Sequence, residues 1–355
     1  MKLTLKNIAV TIAVLIVVVS LAGCGGSSKT WPDSNHNFFA YLVDTSSIPT
    51  AGVAPAARSA HAAHARQMAK RAHRAAAPRA NAGVDIETGS IDVYVWDVAA
   101  ATSVKLNTTS AAYESVVLSA DYKTVYFTAY DSNGYGQIFS ASVTNFNSPT
   151  QLTTGTTEDH DEISISQDGT LIATTVYSDA PTALSILAST GGTETIVAPA
   201  GLVDAWLPNV AADDSTIVFE GVTSAGFAGI YSVKKDGTGL TRLTNTGLTT
   251  WDWDPTLSPD GKQIAFAREV EDSNTSNVYV VAVTGETTSA PATAVTTDGD
   301  VWEARHLGNY VAYTDDVKTY NGSGNYQLFL TSTAGTGTTQ LTTVDETVAF
   351  MDISD

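Results

Sequence analysis

Carboxylates and aromatic rings recur together at six places in the chain. They are Tyr113-Glu114, Asp159-His160-Asp161, Asp204-Ala205-Trp206, Trp251-Asp252-Trp253-Asp254, Asp300-Val301-Trp302-Glu303 and Asp345-Glu346. An aromatic face can stack on a sugar ring or hold a cation through its quadrupole. A carboxylate accepts hydrogen bonds from hydroxyls and pairs with Lys or Arg. Brought to one mouth, these groups would bind a basic protein face or a neutral sugar. Crowded carboxylates repel, so some pKa values should rise, or the group should share a cation. The hard oxygens would suit Ca²⁺, although no Asp-x-Asp-x-Asp-Gly loop with a distal Glu is present. No other cofactor is expected. The plainer reading of each residue is local: an Asp bonding its own turn and an aromatic ring capping a sheet.

Catalytic signatures are sparse. The chain has no Gly-x-Ser-x-Gly elbow and no His-Glu-x-x-His helix. Its single cysteine is Cys24. Beyond the first eighty residues the histidines are His160 and His306, and isolated histidines of this kind are usually structural. His160, between two acids, is the best candidate for a ligand or base. Two carboxylates across a mouth could hydrolyse a glycoside, but the spacing does not select a pair. The expectation is a binding scaffold. The alternative is a carbohydrate-active or metal-dependent enzyme, a glycosidase or lyase working through mouth carboxylates.

The elements that must position these groups repeat. Leu-Thr or a close variant recurs at Leu106, Leu152, Val197, Leu243, Val295 and Leu341, about every 46 residues. Each mark precedes an acidic, aromatic stretch, an apolar strand, a turn and a second strand. The clearest copy runs Leu257-Ser258-Pro259-Asp260-Gly261-Lys262-Gln263-Ile264-Ala265-Phe266. Asp-Gly is a hairpin signal because Gly tolerates positive φ. Weaker copies carry Asp168-Gly169, Asp213-Asp214 and Asp121. Short strands at this period indicate a propeller, in which each sheet hides its faces against the next.

The stretch at 257–266, the strand Asn277-Val278-Tyr279-Val280-Val281 and the closing Leu-Thr resemble the TolB-like, WD40-like propeller repeat. The resemblance covers nearly all of residues 90–355. It implies an all-β, six-bladed propeller that binds an envelope protein partner. Five blades are expected at roughly 113–153, 160–198, 204–244, 251–297 and 301–342. The first blade should be composite: a strand near Phe350 from the C-terminus joins strands at 37–43, 91–98 and 102–106, so both termini close the ring. In that fold the acidic, aromatic stretches are expected in loops entering the innermost strands, at the channel mouth.

The net charge of −19 is unevenly spread. Arg58, Arg66, Lys70, Arg71, Arg74 and Arg79 form a basic, Ala-rich arm without acids, within an insertion at 45–89 of the first blade. The remaining body is strongly acidic, which argues against nucleic acid as partner. At the N-terminus, Lys2 and Lys6 precede the apolar run Ile8 to Val19 and then Leu21-Ala22-Gly23-Cys24. This resembles a lipobox, with a signal peptide at 1–23, lipid on Cys24 and a tether at 24–36. The resemblance implies an exported protein held to the membrane by its lipid, in the periplasm or at the outer membrane. An exported domain without a disulfide must take its stability from its core.

Overall fold

The computed structural model describes residues 38–44, 91–97, 102–106, 113–119, 121–340 and 348–352, except 178–181, 226–227, 245–249, 271–274, 288, 298, 300 and 317–325. The lipobox and tether, the basic insertion, Asp300, Asp345 and Glu346 lie outside the described residues.

The chain is an all-β propeller of four-stranded antiparallel sheets. Five blades are each cut from consecutive chain. Blade two holds β4 (Tyr113–Leu118), β5 (Thr124–Tyr130), β6 (Gly136–Ser142) and β7 (Asn145–Gln151). Blade three holds β8 (Asp159–Ile165), β9 (Leu171–Tyr177), β10 (Ala183–Ala188) and β11 (Thr195–Val197). Blade four holds β12 (Leu202–Val210), β13 (Thr216–Thr223), β14 (Ala228–Lys234) and β15 (Thr241–Arg242). Blade five holds β16 (Thr250–Leu257), β17 (Gln263–Val270), β18 (Ser276–Ala282) and β19 (Thr293–Ala294). Blade six holds β20 (Val301–Leu307), β21 (Tyr310–Asp316), β22 (Tyr326–Ser332) and β23 (Thr339–Gln340). A further sheet is composite: β24 (Val348–Asp352) pairs with β1 (Phe38–Asp44), followed by β2 (Ile91–Asp97) and β3 (Thr102–Lys105).

The apolar clusters lie between neighbouring sheets. Val93, Val95 and Leu106 of the composite sheet pack on Val116, Leu118 and Phe127 of blade two. Phe219 and Ile217 of blade four meet Leu184 and Ile186 of blade three. Phe266 and Ile264 of blade five meet Val218 and Ile230 of blade four. A single sheet could not bury both faces, which is why alternation is weak in the middle strands. In β17, Ile264, Ala265, Phe266 and Ala267 are all buried.

The repeated Ser-x-Asp hairpin has a local cause. Ser258 Oγ donates to Asp260 Oδ1 at 2.7 Å and accepts from the backbone N–H groups of Lys262 and Gln263. Asp260 also accepts from Lys262 N and lies 3.0 Å from Lys262 Nζ, and these bonds hold its carboxyl down at about 2. Ser119 with Asp121 and Ser166 with Asp168 repeat the arrangement. Blade six has no such motif and turns more tightly, Leu307 pairing directly with Tyr310 across Gly308 at φ +60°. Ser258→Ala removes the acceptor of Gln263 N and one of the two acceptors of Lys262 N. It should lower stability by about 1 kcal/mol in urea denaturation, and an unchanged midpoint would refute the capping role.

Candidate functional site: the central channel

The acidic, aromatic residues do not stand in loops as expected. Asp159, His160 and Asp161 open β8; Asp204 and Trp206 lie in β12; Trp251, Asp252, Trp253 and Asp254 lie in β16; Trp302 and Glu303 lie in β20; Glu114 lies in β4. A bulge explains the extension. The innermost-to-second-strand register shifts between Tyr113 and Val116, Asp161 and Ser164, Trp206 and Asn209, Trp253 and Thr256, and Val301 and Ala304. Pairing resumes beyond each bulge, so the strand continues up to the mouth and its side chains are re-aimed. Glu162, Leu207 and Asp254 occupy equivalent places in three successive bulges, at φ +57°, +50° and +53°. Side-chain-bearing residues rarely accept that conformation.

The carboxylates are largely spent on joining blades. Asp159, buried, accepts from Gly136 N of blade two at 2.8 Å. A Cβ at Gly136 would lie 3.1 Å from the His160 carbonyl oxygen, a tight contact that would press the two strands apart by a few tenths of an ångström, so glycine favours this close approach. Asp204, half-buried, accepts from Thr182 N and Oγ1 of blade three. Glu162 accepts from Thr175 Oγ1, from Tyr177 Oη and from Leu207 N of blade four. Asp254 Oδ2 accepts from Ala304 N and Arg305 Nη1 of blade six. Asp161, half-buried, accepts from Glu162 N at 2.7 Å.

Two of the expected groups belong to radial braces instead. His160, 1% exposed, places Nε2 2.7 Å from Glu194 Oε2, and Ser185 Oγ donates to the same oxygen. Burial pushes the Glu194 carboxyl up, but His160 and Ser185 outweigh it and the net direction is down. In blade five Asp252, fully buried, receives Arg268 Nε at 2.6 Å and Nη2 at 3.0 Å, and Arg268 Nη1 reaches Glu286 Oε1 at 3.1 Å. The guanidinium also lies 5.0 and 4.9 Å from the Phe266 and Tyr279 ring centres. Burial opposes the Arg268 charge, but Asp252 and Glu286 prevail and raise its pKa. The Asp252 pKa is raised, with burial as the first cause and Arg268 opposing it. Crowding with other mouth carboxylates is not the source of that rise.

The indoles divide in the same way. Trp253 is core between blades five and six, and Trp206 is buried beside Tyr177 and Val222. Trp251 is half-buried, packed on both of those clusters with part of its surface open. Glu303 is buried. The side chains of Glu114 and Trp302 are outside the described set. Sequence reading missed Arg268, Arg305, Glu162, Glu194 and Glu286. The one available signal was a glutamate shortly after a glycine before the fourth strand, Gly192-Thr193-Glu194 in blade three and Gly285-Glu286 in blade five.

At and beyond the bulges the innermost strands line a partly open cavity of about 140 Å³. Ser115, Ser164, Asn209, Asp254, Thr256 and Arg305 supply its polar lining, with Ile163, Leu207, Pro208 and Pro255 among the apolar walls. A belt of bonds runs around it. Ser115 Oγ accepts from Ile163 N, Ser164 Oγ from Val210 N, Asn209 Oδ1 from Leu257 N and Thr256 Oγ1 from His306 N.

Solved propellers have the same shape. TolB from Acinetobacter baumannii superposes with a TM-score of 0.63 at 14% identity, over 90% of this chain and 66% of that one. This chain therefore spans just under two thirds of that protein. A putative TolB from Agrobacterium tumefaciens gives 0.55 at 19% identity, over 71% and 88%. An oligogalacturonate lyase in complex with manganese gives 0.51 at 11% identity, over 72% and 71%. No family model matches the chain, and neither does any curated protein. At such identities the shared property is the fold: the chain is a TolB-like β-propeller.

Proposed function

We propose that the protein is an exported propeller, anchored by lipid on Cys24, that binds a protein partner at its channel mouth. The composite sheet serves as its sixth blade. The observation that carries this reading is where the mouth acids go. Asp159, Asp204, Glu162 and Asp254 are acceptors for neighbouring blades. They make a stiff ring rather than a set of reactive groups, and a stiff ring suits display of a surface. Trp251, half-buried, and Val203, 36% exposed, offer apolar area near the starts of β16 and β12. Asp161 and Asp204 add negative charge there, which suits a partner carrying Lys or Arg beside an apolar anchor. The TolB structures support a propeller scaffold through shape.

A second reading, polysaccharide cleavage, draws on the likeness to the manganese-bound lyase. The donor set does not fit that ion. Among the described residues no three His, Cys, Asp or Glu side chains converge, and His160 is engaged with Glu194. No step is derived through a metal.

Trp251→Ala separates the two. Affinity capture on detergent-solubilised membranes should recover a discrete partner with the native protein, and recovery should fall at least about tenfold for the variant, as for an interface anchor. Trp253→Ala is unsuitable because that ring is core. Equal recovery with Trp251→Ala would overturn the mouth as the binding face. Cys24→Ser should move the protein from membranes to the soluble fraction.

A further inference from the structure

The channel cavity has hydrogen-bonding capacity that the fold does not use. Ser115 and Ser164 each accept one backbone N–H through Oγ, and each hydroxyl retains its proton to donate. Asn209 accepts through Oδ1 and keeps both Nδ2 hydrogens. Asp254 bonds Ala304 N and Arg305 through Oδ2, which leaves Oδ1 to accept. Thr256 differs, since its hydroxyl donates to the Ala304 carbonyl. Donors from three successive blades and an acceptor from the fourth therefore line one cavity.

The chemistry of the occupant follows from this set. A group that both accepts and donates satisfies it, and hydroxyls do both. The ionised lining groups Glu162, Asp254 and Arg305 sum to one negative charge, within a protein of net charge −19. An anion is therefore disfavoured. A cation would find Glu162 and Asp254 already accepting bonds from the protein. The walls of Ile163, Leu207, Pro208 and Pro255 provide apolar surface for C–H groups. A closed void of about 150 Å³ holds a benzene ring; this cavity is of that size and opens on one side, which leaves room for the substituents of a ring seated in it. We infer that the channel cavity is a binding site for a neutral sugar ring, held by Ser115, Ser164, Asn209 and Asp254 without being cleaved. The site is lined by residues of the bulges and of the strands beyond them, without Trp251, and does not depend on the partner-binding reading of the mouth.

The test is calorimetric titration of the full-length, detergent-solubilised protein with glucose, glucuronate and glucosamine. Glucose should bind with millimolar affinity, and each charged analogue should bind at least about tenfold more weakly. Asn209→Asp keeps the oxygen that accepts from Leu257 N and removes both donors. It should weaken glucose about fivefold while the melting temperature stays close to that of the native protein. Should that variant fail to fold, crystals of the native protein soaked in glucose decide the matter, because a sugar ring must appear among these four side chains. Absence of heat up to about 100 mM glucose, equal affinity for glucuronate, an unaltered Asn209→Asp titration or only water in the soaked cavity would each overturn the assignment. Partner capture through Trp251 would stand in any of those cases.

Discussion

Arg268→Met should destabilise the protein by about 3–5 kcal/mol, the largest effect of any single substitution considered. Arg268 is the only cation placed between Asp252 and Glu286 among the described contacts of that brace. Asp252 is fully buried, so water cannot replace the lost guanidinium. An ionised carboxylate left in that place bears its whole desolvation cost, and a neutral one loses two short charge-assisted bonds. Glu286 would partly recover, since its Oε1 also accepts from Ala292 N at 2.9 Å. Arg268→Lys should restore only part of the loss, because an ammonium cannot fork to two carboxylates while lying on Phe266 and Tyr279. The double change Asp252→Ala with Arg268→Met should be milder than Arg268→Met alone, since the fully buried carboxylate of Asp252 is removed with its cation. Urea denaturation at neutral pH reads all three. A loss under about 1 kcal/mol for Arg268→Met would mean that the brace is hydrated and that Asp252 is not truly buried.

This brace shows why the all-β propeller was legible in the sequence and the contacts of its acids were not. The hairpins were legible because their cause is local. Ser258, Asp260 and Lys262 bond one another within five residues, and Gly261 takes φ +65°. The closing strand was legible because 348–351 reads as a short apolar strand one repeat after the last hairpin, and β24 pairs with β1. The acids were also found, but their use was not. Whether Asp204 faces a ligand or Thr182 depends on a contact 22 residues away, and for Asp254 and Ala304 the separation is 50. Nothing in the residue types announces a bulge, and the bulges set where Glu162 and Asp254 point. Trp251 and Trp253 read alike in sequence and share one face of β16, two residues apart, yet Trp253 is core while Trp251, at the start of the strand, is half-open. His160 looked like a ligand because acids flank it. Its actual partner, Glu194, is 34 residues on.

His306 carries the second large expected effect, a loss of stability in mild acid. It sits in β20, paired with Val311, and its backbone N–H bonds Thr256 Oγ1, the last member of the belt that Ser164, Asn209 and Thr256 carry from blade to blade. Those three residues accept a backbone N–H from the next blade. His306 is 3% exposed, and neither ring nitrogen has a hydrogen-bond partner. Burial therefore disfavours the imidazolium and pushes its pKa down from the ordinary 6.5 to about 4, with Asp260 opposing weakly. The folded state holds the ring neutral, while the unfolded chain takes up the proton near pH 6.5. The associated stability is present above that pH and is lost as pH falls from about 6.5 through about 4. That gap corresponds to about 3 kcal/mol once both states are protonated. His306→Asn keeps a polar side chain in β20 and removes the titration. Its stability should stay nearly level from pH 7 to 5, where the native protein declines. Carboxylates held low, such as Asp260 and Glu194, stabilise both proteins throughout this interval and lose that contribution only at lower pH. Chemical denaturation at pH 7, 6 and 5 separates the two curves. If native protein and variant fall together over that interval, His306 is not buried as a neutral ring, and the acid sensitivity belongs elsewhere.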